Sequence, residues 1–220
     1  MPDWPVFPNV SGALRSSANQ TFQTGIATLC TLDTLIRDTG GMAVQTTTNL
    51  TGTLAKTSGS NAIVGTSTLF TTELAVGDWI DVPGTVTERR RVATITDNTH
   101  LTVTGNYNNS ASGQTGVKVN YGLKATQAGI YVISEQFNFD SGTTGNRELQ
   151  TLLNGASLTL PTSPTGATRV VASSEGTRAT SAPQLQLARN DVIGIAVKQT
   201  QAADISAGFG YLSMTYLCPG

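Results

Sequence analysis

The chain has 220 residues, with 13 Lys and Arg against 14 Asp and Glu, and charged residues make up only 12% of it. A net charge of −1 leaves no basic field to gather phosphate backbones, so nucleic acid is not an expected partner. One histidine and two cysteines are too few for a His- or Cys-ligated zinc site or a disulfide scaffold, and no run is long enough to cross a bilayer as a helix.

Threonine and glycine are abundant and long helical periodicities are absent, which together predict antiparallel strands joined by tight turns. The length leaves room for two modules. Residues 1–16 mix prolines with Trp4, Phe7 and Val10 and read as an extended arm, lying on its own domain or docked on a neighbouring subunit. Short strands are expected between Gln20 and Thr34, followed by a turn at Asp38-Thr39-Gly40-Gly41 and a strand from Met42. From Thr51 to about Asn120 the pattern is a run of hairpins. Its strands fall at Thr53–Ala55, Ala62–Val64, Trp79–Val82, Glu88–Ile95, Leu101–Val103 and Val117–Val119, with one helical turn at Thr71–Leu74. After Tyr121 the pattern of the first fifty residues returns, with strands predicted at 124–134, 136–140, 146–154, 168–173, 183–188, 191–199 and 207–217. Asn154-Gly155 has the composition of a two-residue hairpin turn. Val192–Val197 is a continuous apolar run, expected to be buried on both faces or against another chain.

Three groups of residues carry a family resemblance: Asn19-Gln20-Thr21 with Asp38–Met42 at the front, Ala128–Tyr131 with Phe137 in the middle, and Leu187–Asp191 with Gly208–Leu212 at the end. In this order they resemble the C1q/TNF-like jelly roll, especially its short versions in bacteriophage structural proteins. The resemblance covers about residues 17–48 and 121–217. It implies a ten-stranded sandwich that trimerises about a threefold axis, with the first and last strands in one sheet. The stretch Ala62–Phe70, Leu74–Ile80 and Arg91–Val103 resembles a second phage-protein module, a small β-barrel. The expected organisation is therefore an all-β chain: an arm at 1–16, a discontinuous jelly-roll trimerisation domain at 17–50 and 121–220, and an inserted β domain at 51–120. Tyr131, Phe137, Phe209, Tyr211 and Tyr216 are candidates for the subunit core or the trimer axis. Glu88-Arg89-Arg90-Arg91 reads as exposed: a solvated edge that discourages sheet-to-sheet pairing, or, with Trp4 and Phe7, a contact with an acidic capsid shell.

Little in the chain suits chemistry. His100 has no nucleophile motif beside it, no carboxylate pair stands in a recognisable setting, and no Asp-rich loop has calcium spacing. An enzyme is not expected, nor a cofactor or metal. Whether Cys30 and Cys218 bridge stays open. Asn9-Val10-Ser11 and Asn19-Gln20-Thr21 match the glycosylation pattern, which chance accounts for in a chain this rich in Asn and Thr. The start shows no secretory signal, so synthesis in a host cytoplasm is expected. The resemblances imply a virion structural protein: a homotrimeric capsid decoration or cement protein whose partners are itself and the major capsid protein. The alternative is the receptor-binding tip of a tail or head fibre, holding host-surface glycan with loops at 141–146 and 157–165.

Overall fold

A computed structural model describes residues 10–139, 145–157, 167–171, 177–201 and 205–219. In chain order the strands begin with β1 (Ser11–Arg15), β2 (Gln20–Phe22), β3 (Thr28–Leu29), β4 (Thr34–Asp38) and β5 (Ala43–Asn49). They continue with β6 (Thr53–Lys56), β7 (Ala62–Thr66), the short helix α1 (Phe70–Glu73), β8 (Trp79–Val82), β9 (Glu88–Ile95), β10 (His100–Val103) and β11 (Ala111–Gln114). The rest are β12 (Val117–Lys124), β13 (Gly129–Phe139), β14 (Asn146–Leu153), β15 (Ala156–Ser157), β16 (Ala167–Val171), β17 (Thr177–Ser181), β18 (Gln184–Leu187), β19 (Val192–Gln199) and β20 (Ile205–Cys218). The chain is all-β, and it separates into two compact units. The first takes in the described residues up to Val44 and from Tyr121 onward; the second is Gln45–Asn120.

The first unit is a jelly-roll-like sandwich. One sheet runs β17-β13-β20-β1-β4, with β18 also pairing β13 and β2 also pairing β20. In the other, β19 pairs with β14, β3 and the end of β12, and β14 pairs with β15 and β16. Period-2 alternation explains the core. On β13, Tyr131, Ile133, Glu135, Phe137 and Phe139 all point inward and each is at most 4% exposed. Leu212 and Met214 of β20 and Leu149, Ile193, Ile195 and Val197 of the opposite sheet meet them. The apolar run on β19 is buried on both faces, because Ala196, on the side away from that core, is fully covered too.

Two expectations need correction. Residues 11–15 are not part of an arm: β1 lies between β20 and β4, with Leu14 opposite Leu212 in the interior. The break expected between strands 124–134 and 136–140 does not exist either, since β13 is one uninterrupted strand through Glu135. Its true start is Gly129, with φ of 156°, where a Cβ would run into the Cys218 carbonyl and the Tyr216 ring. The hairpin turn at Asn154-Gly155 forms as expected, with φ of 51° and 78° joining β14 to β15.

The second unit is an antiparallel sheet in the order β11-β6-β7-β10-β9-β8-β12. It encloses its own core of Leu50, Leu54, Ile63, Phe70, Ile80, Val82, Val92, Leu101, Val103 and Tyr107. Short hairpins join β6 to β7, β8 to β9 and β9 to β10, while β11 returns to pair β6 and β12 to pair β8.

Candidate functional site

The five aromatic candidates divide between the inside and the outside of the sandwich. Tyr131 and Tyr216 meet edge-on at 5.3 Å, and Phe137 packs edge-on against Phe22 at 5.4 Å and beside Phe139 at 5.0 Å. The Tyr131 hydroxyl donates to the Gln127 carbonyl at 2.8 Å. Tyr131, Phe137 and Tyr216 belong to the core of the sandwich itself. Phe209 and Tyr211 alternate to the other face of β20, where Phe209 is 48% exposed and Tyr211 half-buried. That outward face continues across β20 with Ser213, Thr215 and Leu217, and across β13 with Ile130, Val132, Ser134, Gln136 and Asn138. Neither row contains a charged residue.

The arginine run is not a solvated edge. β9 alternates like any strand, so Glu88 and Arg90 turn inward with Val92 while Arg89 and Arg91 turn outward. Glu88 is 2% exposed and Arg90 1%. The Glu88 carboxylate accepts from Lys56 Nζ at 2.7 Å, Arg90 Nη2 at 3.0 Å, the Asn108 N–H at 2.8 Å and Asn109 Nδ2 at 2.6 Å. Both cations also lie about 5 Å from the Tyr107 ring centre, Lys56 at 5.0 Å and Arg90 at 5.1 Å. Lys56 further donates to the Val82 carbonyl at 3.0 Å and Arg90 to the Asn106 carbonyl at 2.9 Å. Arg89 forms a bidentate pair with Asp81, its register partner on β8, at 2.7 Å for both bonds, and Arg91 Nε donates to the Gly77 carbonyl at 3.2 Å. The run thus fastens loops of its own unit, and Arg90 is not available to a shell. Trp4 and Phe7 lie outside the described residues.

His100 opens β10 at the surface, where Nδ1 sits 3.1 Å from Asp97 Oδ1 and 3.0 Å from Thr99 Oγ1. Bonds from the Thr99 N–H and hydroxyl, and then the His100 ring, hold the Asp97 carboxyl down at about 2. Asp97 and Thr99 fix the turn into β10. Cys30 and Cys218 are not bridged to each other. Among the described residues no three His, Cys, Asp or Glu side chains gather as metal ligands, and no helix is long and apolar enough to cross a membrane.

One ionisable group is not singled out by the sequence alone. Glu135 sits in the inward row of β13, 1% exposed, and one carboxylate oxygen accepts from Thr151 Oγ1 at 2.8 Å. Burial pushes its carboxyl up to about 8, against a weaker downward pull from that hydrogen bond. The signal that could have found it is the period-2 row Tyr131, Ile133, Glu135, Phe137.

No known protein family matches the chain, and no curated protein matches it. Among solved structures, it is similar to the PRD1 vertex protein P5 at 15% identity and a TM-score of 0.32, over 81% of this chain and 100% of that one.

Proposed function

We propose that the protein is a structural component of a tailed bacteriophage virion, a homotrimeric decoration or cement protein that binds the assembled head and stabilises it, without a catalytic step. The observation that carries this reading is the outward face of β13 and β20. It presents Phe209, Tyr211 and Leu217 among small and amide side chains, with no charged residue in either row and with exposed Arg15, the register partner of Tyr211 on β1, at its border. Such a face suits packing against copies of itself. The order of sequence pieces that resemble phage jelly-roll and barrel modules supplies the virion context, and the adjacent placement of β1 and β20 is what a jelly roll requires. A protein that recognises only the finished lattice would stabilise the shell by mass action.

Two measurements test the reading. Sedimentation of the isolated chain should give a trimer, and Ser213→Arg, which places a charge in the middle of the outward face, should give monomers that still fold. Heads lacking the protein should break at lower temperature than complete heads and recover on adding it back. Equal resistance of the two kinds of head would remove the cement role. Free protein that blocks adsorption to host cells would instead favour the fibre-tip alternative, whose proposed glycan loops at 141–146 and 157–165 fall mostly outside the described residues.

A further inference from the structure

Glu135 stands in the least hospitable place in the sandwich for a charge. Its neighbours in the inward row, Ile133 and Phe137, are fully buried, and so is Leu212, its register partner on β20. Thr151, across the interior on β14, satisfies one oxygen; Oε1 is shut off from solvent and has no hydrogen-bond partner.

Among the described side chains, no charged group compensates it. On β14, Arg147 is turned inward two positions along the row from Leu149, but its Nη2 donates to Gln201 Oε1 at 2.7 Å, and Glu148 alternates to the other face. On β13, the Tyr131 hydroxyl is engaged with Gln127. On β20, Tyr216 meets Tyr131 edge-on. β18 has no ionisable residue. Cys30 contributes a thiol to the same core and no charge in its neutral form. Among the described residues a carboxylate in this setting has one neutral donor and no counter-ion, an arrangement that favours the protonated acid.

We propose that Glu135 is a built-in pH trigger: folded as the neutral acid it holds β13 against β14, and loss of its proton loosens that seam of the sandwich. The folded value lies above the unfolded one, so its contribution is complete below the unfolded value, about 4.3. It is lost as pH rises to about 8, with no further change beyond.

The test uses the full chain. Denaturant unfolding of wild type and Glu135→Gln across this range should show the wild-type folding equilibrium weakening by up to about tenfold per pH unit relative to the variant, with the gap levelling off above about pH 8. Parallel pH profiles would overturn the proposal. Should the variant fail to fold, two readouts on wild type decide. An infrared carbonyl band of a protonated carboxylic acid should persist near pH 7, where exposed carboxyls are ionised, and vanish above about pH 8. Amide exchange should quicken over the same interval in β13 and β14 beyond its intrinsic pH dependence, while β7 and β10 show no such excess. A missing band near pH 7, or excess exchange shared equally by all four strands, would sink the idea.

Discussion

The two units each bury a glutamate inside a β core, and they treat it in opposite ways. In the second unit Glu88 faces two cations, a backbone N–H and an amide, so its charge is met on every side. In the first, Glu135 meets a single hydroxyl, whose downward pull is weaker than the upward push of burial. The difference shows that burial by itself does not decide whether an acid is an ion or a neutral donor; the number of partners its strand register delivers does. One unit is thereby made sensitive to loss of an ion pair and the other to gain of a charge.

Glu88→Gln breaks the comparison most severely, because it leaves Lys56 and Arg90 buried without their counter-charge. A loss of about 3–5 kcal/mol is expected by denaturant unfolding. Asp38→Ala tests a surface carboxylate kept charged by backbone donors: it accepts from the N–H groups of Met42 at 2.8 Å, Ala43 at 3.1 Å and Gly40 at 3.2 Å. These bonds outweigh burial and hold its carboxyl below the ordinary value. Here the cost should be about 1–2 kcal/mol, read as a shift of the unfolding midpoint at neutral pH. Tyr107→Phe sharpens the picture from the other side, since the Tyr107 hydroxyl is buried without a hydrogen-bond partner while the ring meets both cations. Stability should stay level or rise by up to about 1 kcal/mol, and a clear loss would mean the hydroxyl has an essential partner. Asp97→Asn should have the smallest effect. Because the folded value of Asp97 is depressed, its contribution is present above about pH 4 and disappears as pH falls toward about 2, so only the acid limb of the unfolding profile should flatten.

Much of the scaffold is readable from sequence because local chemistry and tertiary structure agree. Asn154-Gly155 forms its turn because both residues accept positive φ, and the hairpin strands from Thr53 to Val119 fall where short apolar runs meet turn residues. Charge is what misleads. Glu88-Arg89-Arg90-Arg91 has the composition of a solvated run, and only strand alternation separates its buried members from its outer ones. The cation that completes the cluster, Lys56, lies 32 residues away and has no sequence signal tying it to Glu88. Similarly, Ser134-Glu135-Gln136 looks like a polar interruption of an apolar strand, so the inward glutamate is hidden in an apparent gap. The aromatic candidates fall on strands as expected, yet sequence alone does not say that Phe209 and Tyr211 face outward while Tyr216 faces in, because Gly208 and Gly210 leave that stretch of β20 without a contrasting row of side chains.

β20 is flanked by β1 on one side and β13 on the other, so the middle of the first sheet is supplied by residues 205–218. A ribosome must therefore deliver residues 205–218 before that sheet can zip together, whereas Gln45–Asn120 contains its own pairing partners and can be finished earlier in translation. Until then the early strands wait with open edges, which makes the nascent first unit the stage at which this protein is most exposed to aggregation.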